Sequence, residues 1–313
     1  MSKTAFLFPG QGSQYVGMGQ DLYETYPQVR AIFDQADEVL GFALSDLCFN
    51  GSEEALNDTI NTQPAIFVTS IALLRALESN KSQPPGFAAG HSLGEYSALA
   101  AAGAMDFAAG LQLVRERGRL MKEAGERSPG GMAAVLGLEA EAVNEVCRRA
   151  RKETGGVIQV ANYNSPGQIV ISGDFRTRDE AIELAKAEGA RRVVPLAVSI
   201  AAHSPLMECI VDEFRQAVEA VEFRRPTVPV VANVSAVPLE SIEAIQEEMV
   251  QQLTSPVRWV ESVRYMIGQG VTEFVEIGPK DVLTKLMRRI DKSVQAMSVG
   301  DVTAVESKQG EEI

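Results

Sequence analysis

Serine and histidine are the residues of this chain whose placement first suggests covalent chemistry. The segment Gly90-His91-Ser92-Leu93-Gly94 matches the pattern G-x-S-x-G, between a predicted strand at 86–90 and a predicted helix at 93–102. The glycines allow a tight turn that lifts the Ser92 hydroxyl out at the end of the strand. The N–H of Leu93 is then available to donate to an oxyanion. This context favours a nucleophile elbow over a glycine-rich turn that simply buries a serine.

A serine hydroxyl is a weak nucleophile, so Ser92 needs a general base. The chain contains two histidines, His91 and His203. Because adjacent side chains on a tight turn diverge, we expect His91 to pack inside the protein rather than to reach Ser92. His203 lies in the segment SIAAHSPLM, a predicted loop from which an imidazole can face the elbow; a surface histidine is the alternative interpretation.

The acidic third member of a hydrolase triad is missing from the place where the usual chain order would put it. That order, Ser then Asp then His, requires a carboxylate between Ser92 and His203. The acids in this interval, such as Asp174, Asp179 and Glu180, are predicted at helix starts, with none at an obvious strand end. We therefore predict a Ser–His dyad in which a non-acidic group orients the histidine.

The loop at 8–14, FPGQGSQ, follows a predicted strand at 4–8 and exposes main-chain N–H groups at its glycines. It is not a dinucleotide fingerprint, because Tyr15 occupies the position of the third glycine, and no GxxxxGK[ST] motif exists. The N–H of Gln11 can instead supply a second oxyanion donor.

Arg117 lies in LVRERGRLM, a predicted helix of mixed character. Most arginines in such helices are solvated, and that is the ordinary interpretation of this one. A guanidinium inside a pocket, however, would pair bidentately with a substrate that carries a free carboxylate.

Composition excludes several classes of function. The chain has 313 residues, of which 45% are apolar and 23% charged, and its net charge is −13. So acidic a chain is a poor candidate for binding nucleic acid or an anionic membrane surface. Three widely spaced cysteines predict neither a disulfide framework nor a metal knot, which fits a cytoplasmic protein. No apolar stretch approaches the ~20 residues that span a bilayer.

The order of predicted elements indicates an α/β fold with one inserted unit. A parallel sheet with helices forms the main body at 1–129 and 198–300, followed by a polar tail at 301–313. Between them, residues 130–197 predict the order β-α-β-β-α-β of a ferredoxin-like subdomain. Its second helix is expected to start at a capping box formed by Thr177 and Glu180. In the main body, Pro64 is expected in the first turn of a helix at 64–78.

Seven ordered segments resemble those of a known family: FLFPGQGSQ, GHSLGEYSAL, the Arg117 segment, ANYNSPGQIVISG, HSPLM, QLTSPVRW and EIGP. They are similar in order and spacing to the malonyl-CoA:acyl carrier protein transacylases, within the acyltransferase family of fatty-acid and polyketide synthesis. The resemblance covers about residues 4 to 290. It implies an α/β-hydrolase-like core with an inserted ferredoxin-like subdomain, in agreement with the predicted order of elements.

The resemblance also implies a function and a set of site residues. The nucleophile falls on Ser92 and the base on His203, which a main-chain carbonyl orients. The oxyanion donors fall on Gln11 and Leu93. Two further site residues, Arg117 for the substrate carboxylate and Gln252 beside the histidine, complete the set.

The implied reaction moves a malonyl group from malonyl-CoA to the phosphopantetheine thiol of acyl carrier protein through a malonyl-serine ester, which supplies extender units for fatty-acid synthesis. No metal or other cofactor is expected, and the chain is expected to act as a monomer.

Ala202 departs from the family pattern. Many malonyl-specific relatives carry phenylalanine immediately before the histidine, and methylmalonyl-specific domains tend to carry serine. Ala202 is smaller than either, and leaves room for a 2-substituent unless neighbouring side chains fill the space.

Three alternative functions remain open from sequence. The first is a serine thioesterase or esterase, against which Arg117 and the missing acid argue. The second is a docking module without catalysis, and the third a free-standing polyketide-pathway acyltransferase with broader, methylmalonyl selectivity.

Overall fold

The computed structural model describes residues 3–78, 84–198 and 200–310. Its strands are β1 Lys3–Phe8, β2 Phe87–Gly90, β3 Gly130–Leu136, β4 Ile158–Ser165, β5 Gln168–Asp174, β6 Arg192–Pro195, β7 Val230–Val231, β8 Val271–Ile277 and β9 Gln295–Val299. Its first seven helices are α1 Gln20–Thr25, α2 Pro27–Leu40, α3 Leu44–Asn50, α4 Glu53–Asn57, α5 Thr59–Glu78, α6 Gly94–Ala101 and α7 Phe107–Arg127. The remaining helices are α8 Ala140–Thr154, α9 Phe175–Ala187, α10 Val211–Glu219, α11 Ile242–Gln251, α12 Trp259–Gly268, α13 Val282–Ile290 and α14 Val302–Gly310, with a 3-10 helix at Pro205–Ile210.

The main sheet is parallel and has the strand order β7-β2-β1-β8-β9. Buried parallel strands carry apolar side chains on both faces, which explains the apolar runs TAFLF and FAAG. In the register of β1 and β2, Phe8 pairs with Gly90. The loops that follow these two strands therefore leave the sheet side by side at its carboxyl edge, where open α/β sheets place their sites.

Helix α5 forms the centre of the core and differs from its predicted start. It begins at Thr59, so Pro64 lies inside the helix and not in its first turn. Proline has no N–H to donate to the carbonyl of Ile60. That carbonyl accepts instead from Arg115 Nη1 at 2.6 Å, so an arginine side chain replaces the missing helical hydrogen bond. By length and composition α5 also qualifies as a membrane span, but 83% of its apolar window is buried inside the protein.

The inserted unit is an antiparallel sheet of order β4-β5-β3-β6 with α8 and α9 packed on one face. Because side chains alternate along a strand, Ala133 and Val135 of β3 face these helices, while Met132 faces the opposite side with Val170. That second face points to the main body. The sheet arrangement is that of a ferredoxin-like unit.

Five expectations from the sequence need correction. Helix α9 starts at Phe175 and is capped by Asp174, whose carboxylate accepts from the N–H of Thr177, so the proposed capping box is wrong. Asp174 also ends β5, contrary to the expectation that no acid in this interval ends a strand. The sequence pattern also predicts a helix near 205–221 and a strand at 228–234; the structure divides the first into a 3-10 turn and α10 and shortens the second to β7. In the polar tail, residues 302–310 form α14.

Candidate active site

The elbow has the strained geometry that its glycines predict. Ser92 adopts a left-handed backbone with φ of 53° between β2 and α6. A Cβ on Gly90 would lie 1.9 Å from the carbonyl of Gly94, and a Cβ on Gly94 would lie 2.0 Å from the carbonyl oxygen of Phe8. Glycine is therefore required at both positions because the strand, the turn and the helix approach each other too closely for any side chain.

Ser92 and His203 form a hydrogen-bonded pair. Ser92 Oγ lies 2.8 Å from His203 Nε2, and His203 Nδ1 lies 2.8 Å from the main-chain oxygen of Gln252. A carbonyl oxygen can only accept, so the imidazole proton is on Nδ1 and Nε2 is free to accept from the serine. A main-chain carbonyl thus orients the histidine, in the place where a triad would use an acid.

His203 is neutral over the physiological pH range. Burial, and after it the positive charge of Arg117, together lower its pKa to about 3. The neutral imidazole is the form that removes a proton from serine.

Gln159 of β4 is a residue that sequence reasoning missed. Its Nε2 donates to the main-chain oxygens of His203 at 2.7 Å and Thr254 at 2.9 Å. His203 needs such support because its φ of 57° is left-handed. The inserted unit therefore helps to hold the base of the main body, and no local pattern around Gln159 indicates this.

Arg117 of α7 lies inside the site and is not solvated. Its Nη1 donates to Gln63 Oε1 at 2.7 Å, and its Nη2 donates to Gln252 Oε1 at 2.9 Å and Ser92 Oγ at 3.2 Å. Within the described residues it forms no ion pair, although its side chain is only 2% exposed. Burial lowers its pKa, while the neighbouring Tyr96 and Glu95 act in the opposite direction. No carboxylate of the described residues contacts the guanidinium directly.

Behind the nucleophile lies a second group that sequence reasoning missed, formed by Asn233 and Glu95. Asn233 Oδ1 accepts from the N–H of Ser92 at 2.7 Å, and its Nδ2 donates to the carbonyl of Gly90 at 2.7 Å, so one side chain holds both arms of the elbow. The N–H of Asn233 donates to Glu95 Oε1 at 3.1 Å. Burial raises the pKa of Glu95, and the neighbouring Glu248 raises it further.

Gln11 and Leu93 stand where an oxyanion could be bound. Both line the same cavity as Ser92. In the part of the chain that the structure describes, neither main-chain N–H has an acceptor, whereas the next N–H groups, of Gly12 and Gly94, are bonded. Leu93 is buried and Gln11 is exposed at the cavity, so both N–H groups are free to donate to a ligand oxygen.

The cavity beside Ser92 has a volume of about 220 Å³. Its walls come from the main body, including Arg117 and His203, and from the inserted unit, through Met132 and Val170. Ala202 lines this cavity next to the base, and Gln252 lies behind the wall rather than on it. The cavity therefore lies between the main body and the inserted unit.

His91 also borders the cavity but does not reach the nucleophile. Its Nε2 lies 2.7 Å from Asn164 Oδ1, and its ring packs edge-on against Trp259 at 5.5 Å. Burial lowers its pKa. It is the packed histidine that adjacency to Ser92 predicts.

Known proteins resemble this chain over nearly its whole length. Residues 5–310 match the acyl transferase domain family. The malonyl CoA-acyl carrier protein transacylase of Bacillus subtilis is 46% identical over 98% of this chain and 96% of its own length, and that of Escherichia coli O157:H7 is 42% identical over 97% and 98%.

Solved structures give the same result. An acyl carrier protein S-malonyltransferase from Vibrio cholerae has 43% identity and a TM-score of 0.94, covering 98% of this chain and 100% of its own. A malonyl-transacylase solved in complex with a type II polyketide-synthase acyl-carrier protein has 41% identity and a TM-score of 0.96, covering 99% and 100%. The chain belongs to the acyl transferase domain family.

Proposed function

We propose that this enzyme transfers a malonyl group from malonyl-CoA to the phosphopantetheine thiol of acyl carrier protein, supplying extender units for fatty-acid synthesis. The observation that carries the proposal is the position of Arg117, a buried guanidinium that forms no ion pair with any described residue and lies 3.2 Å from Ser92 Oγ. In a malonyl thioester one methylene separates the reacting carbonyl from the free carboxylate. The cation that binds the carboxylate must therefore lie next to the nucleophile, as Arg117 does.

The first half of the reaction forms an acyl-serine. His203 Nε2 takes the proton of Ser92 Oγ as the oxygen attacks the thioester carbonyl. The oxyanion that results accepts from the N–H groups of Gln11 and Leu93. When the intermediate collapses, the C–S bond breaks and His203 returns its proton to the sulfur of CoA.

The second half reverses the roles with a different thiol. His203 takes the proton of the phosphopantetheine thiol, whose sulfur attacks the malonyl-serine carbonyl. The C–O bond to Ser92 breaks, and the proton returns to Ser92 Oγ. During the interval Arg117 holds the free carboxylate of the ester by charge-assisted hydrogen bonds. The chemistry uses groups of this chain and the prosthetic arm of its partner, without a metal or other cofactor.

Two further parts of the proposal concern the enzyme as a whole. Ser92, His203, Arg117 and Gln252 all come from one chain, which supports action as a monomer. The cysteines Cys48, Cys147 and Cys209 are free, which supports the cytoplasm as the compartment.

The experiment compares kcat/KM for malonyl-CoA and acetyl-CoA in the parent and in Arg117→Ala. Breaking a buried charge pair costs ~2–5 kcal/mol, so malonyl transfer should fall by ~30-fold to several thousand-fold. Acetyl-CoA has no second carboxylate and should lose little. Arg117→Lys should recover only part of the malonyl rate, since lysine offers a point charge in place of a planar fork.

Two controls accompany this comparison. Arg115→Ala removes the neighbouring arginine on the same helix, which binds Ile60 and Asn61 outside the cavity, and should leave the malonyl preference intact. Ser92→Ala should abolish the malonyl adduct seen by mass spectrometry. Equal losses for both thioesters in Arg117→Ala would show that Arg117 is structural, and release of free malonate without transfer to the carrier would favour a thioesterase.

A further inference from the structure

Glu95 is a buried glutamate directly behind the nucleophile, and the mechanism above gives it no role. It lies in the first turn of α6 and is 0% exposed. Its two oxygens accept from opposite sides, Oε1 from the N–H of Asn233 and Oε2 from Gln252 Nε2. One carboxylate thus joins the residue that holds the elbow to the residue that contacts Arg117.

The side-chain amide of Gln252 can bind its surroundings in one orientation only. Oε1 accepts from Arg117 Nη2 at 2.9 Å, while Nε2 donates to the main-chain oxygen of Ser92 at 3.1 Å and to Glu95. Arginine can only donate and a carbonyl can only accept. A rotated amide would place N–H against N–H at Arg117 and oxygen against oxygen on the other side.

An amide at position 95 could not satisfy both donors, because it has one accepting oxygen and one donating NH2. The N–H of Asn233 is fixed in the main chain and would retain the oxygen. Gln252 Nε2 would then lose its acceptor at position 95. This side chain gives way more easily than the main chain, because it can rotate and still donate to the Ser92 carbonyl. The NH2 at position 95 would then compete for Gln252 Oε1, the atom that holds Arg117.

We propose that Glu95 is a positioning residue that keeps Gln252 Oε1 turned toward Arg117 and so aims Arg117 at the free carboxylate of the acyl group. This inference rests on the proposed function, because it extends the role of Arg117. It concerns selectivity and not the Ser–His pair. His203 is held by the main-chain oxygen of Gln252, which a rotation of the side chain leaves in place.

The test measures single-turnover acylation of Ser92 by malonyl-CoA and by acetyl-CoA in the full-length parent and in Glu95→Gln. Loss of a hydrogen bond to a charged group typically changes a rate or equilibrium constant by about one to two factors of ten. We therefore expect the rate of malonyl acylation to fall about 10- to 100-fold. Acetyl acylation should stay within about threefold of the parent, because the base and the oxyanion donors are unchanged. A merely structural role would lower both rates together.

A matched control is available in Glu276, another glutamate that is 0% exposed. Its oxygens accept from the N–H groups of Leu283 and Thr284 at 2.9 and 2.7 Å, away from Arg117. Glu276→Gln therefore loses an equivalent buried acceptor, and its melting temperature shows what that loss does to stability. Its ratio of malonyl to acetyl acylation should equal that of the parent.

Glu95→Asp shows whether the effect depends on the number of accepting oxygens or on the size of the side chain. Aspartate keeps two acceptors on a shorter side chain, whereas glutamine matches glutamate in size but loses one. We expect the malonyl loss to be smaller in Glu95→Asp than in Glu95→Gln. The opposite order, or an unchanged selectivity in Glu95→Gln, would overturn the role of Glu95. A parent that shows no preference for malonyl-CoA would instead refute the proposed function.

Discussion

Ser92 and His203 both hold left-handed backbones, with φ of 53° and 57°, and their side chains meet at 2.8 Å. For a residue with a Cβ this conformation costs roughly 1–2 kcal/mol. The fold holds the nucleophile and its base in strained positions that surrounding hydrogen bonds enforce, from Asn233 at Ser92 and from Gln159 at His203. Such strain pre-organises the pair for reaction.

The strain at Ser92 predicts a difference between two inactive variants. Ser92→Gly should be more stable than Ser92→Ala by about 1 kcal/mol, because glycine adopts a positive φ without steric cost. The difference stays small because glycine also gains more entropy in the unfolded chain. Chemical denaturation of both variants measures it. An alanine variant at least as stable as the glycine variant would mean that the turn is not strained.

The elbow could be predicted because its information is local. Gly90, Ser92 and Gly94 lie within five residues between a strand and a helix, so the pattern itself specifies the turn. The family resemblance implies that a main-chain carbonyl orients His203, and the structure confirms it, but the residue types alone could not name the oxygen of Gln252, 49 residues away. A main-chain acceptor leaves no trace in residue types.

The hydrogen-bond partners of Arg117 could not be predicted from the sequence either. Solvated and buried arginines look alike in a helix of mixed character, and only the packing of α5 against α7 brings Gln63 to the guanidinium. Glu95 lies inside the recognised elbow segment, yet its role depends on Asn233 and Gln252 far along the chain. Helices α1, α3 and α4 escaped prediction because segments of five to seven residues carry too little periodicity.

The two histidines should differ sharply when each is replaced. His203→Ala should lower transfer by ~10²–10⁴-fold, the usual contribution of a general base. His91→Ala should retain far more activity, because His91 contacts Asn164 and Trp259 rather than the nucleophile. Steady-state transfer rates with both variants check this, and equal losses would contradict the assignment of the base.

The neutral, buried His203 predicts an acid-sensitive stability. The unfolded chain protonates this residue near its ordinary pKa of ~6.5, whereas the folded protein keeps it neutral down to about 3. Above pH ~6.5 both states are neutral and the residue contributes no pH dependence. Below that pH the unfolded state binds the extra proton, so stability is lost at up to ~1.4 kcal/mol per pH unit.

His203→Asn isolates this effect. The stability advantage of the parent over the variant should shrink by about 2 kcal/mol between pH ~6.5 and ~5, because asparagine does not titrate. Urea denaturation across this range measures the difference. A constant difference would show that His203 has the same pKa in both states.

Ala202 is the residue of the cavity wall through which acyl size can be changed. Ala202→Phe should narrow the cavity beside the base and lower methylmalonyl transfer relative to malonyl transfer. One methyl group in a pocket is worth ~1–3 kcal/mol, so the ratio should change by ~10- to 200-fold at most. Competition between the two CoA esters measures it, and an unchanged ratio would mean that Ala202 does not contact the acyl group.

We expect the carrier protein to be acidic, so its recognition by a chain of net charge −13 requires a local basic surface, because longer-range interactions would be repulsive and are screened beyond ~8 Å. Three basic segments of the sequence are candidates, at 148–152, 191–192 and 288–292, and the structure places residues of the last two near Gln168. Arg192 and Gln168 both pair with Leu136, and Arg289 Nη1 donates to Gln168 Oε1 at 2.6 Å. Gln168 lines the cavity, so Arg289 lies next to the cavity wall. We use the name rim cluster for Arg289, Arg288, which precedes it on α13, and Arg192 of β6.

Charge reversal distinguishes this rim cluster from the other basic segment. At Arg148 and Arg149 the guanidinium groups are paired with Glu145 and Glu188, which cancels their charge. The triple variant Arg192→Glu, Arg288→Glu, Arg289→Glu should raise KM for the carrier protein about 10-fold or more, since each rim pair contributes up to ~1 kcal/mol. Malonylation of Ser92 by malonyl-CoA is followed in parallel, so that any loss of CoA binding is measured separately from docking. The double variant Arg148→Glu, Arg149→Glu should leave the carrier KM and the rate of Ser92 malonylation near those of the parent. If the carrier KM instead rises in this double variant and not in the triple variant, the carrier docks on the far face of the inserted unit.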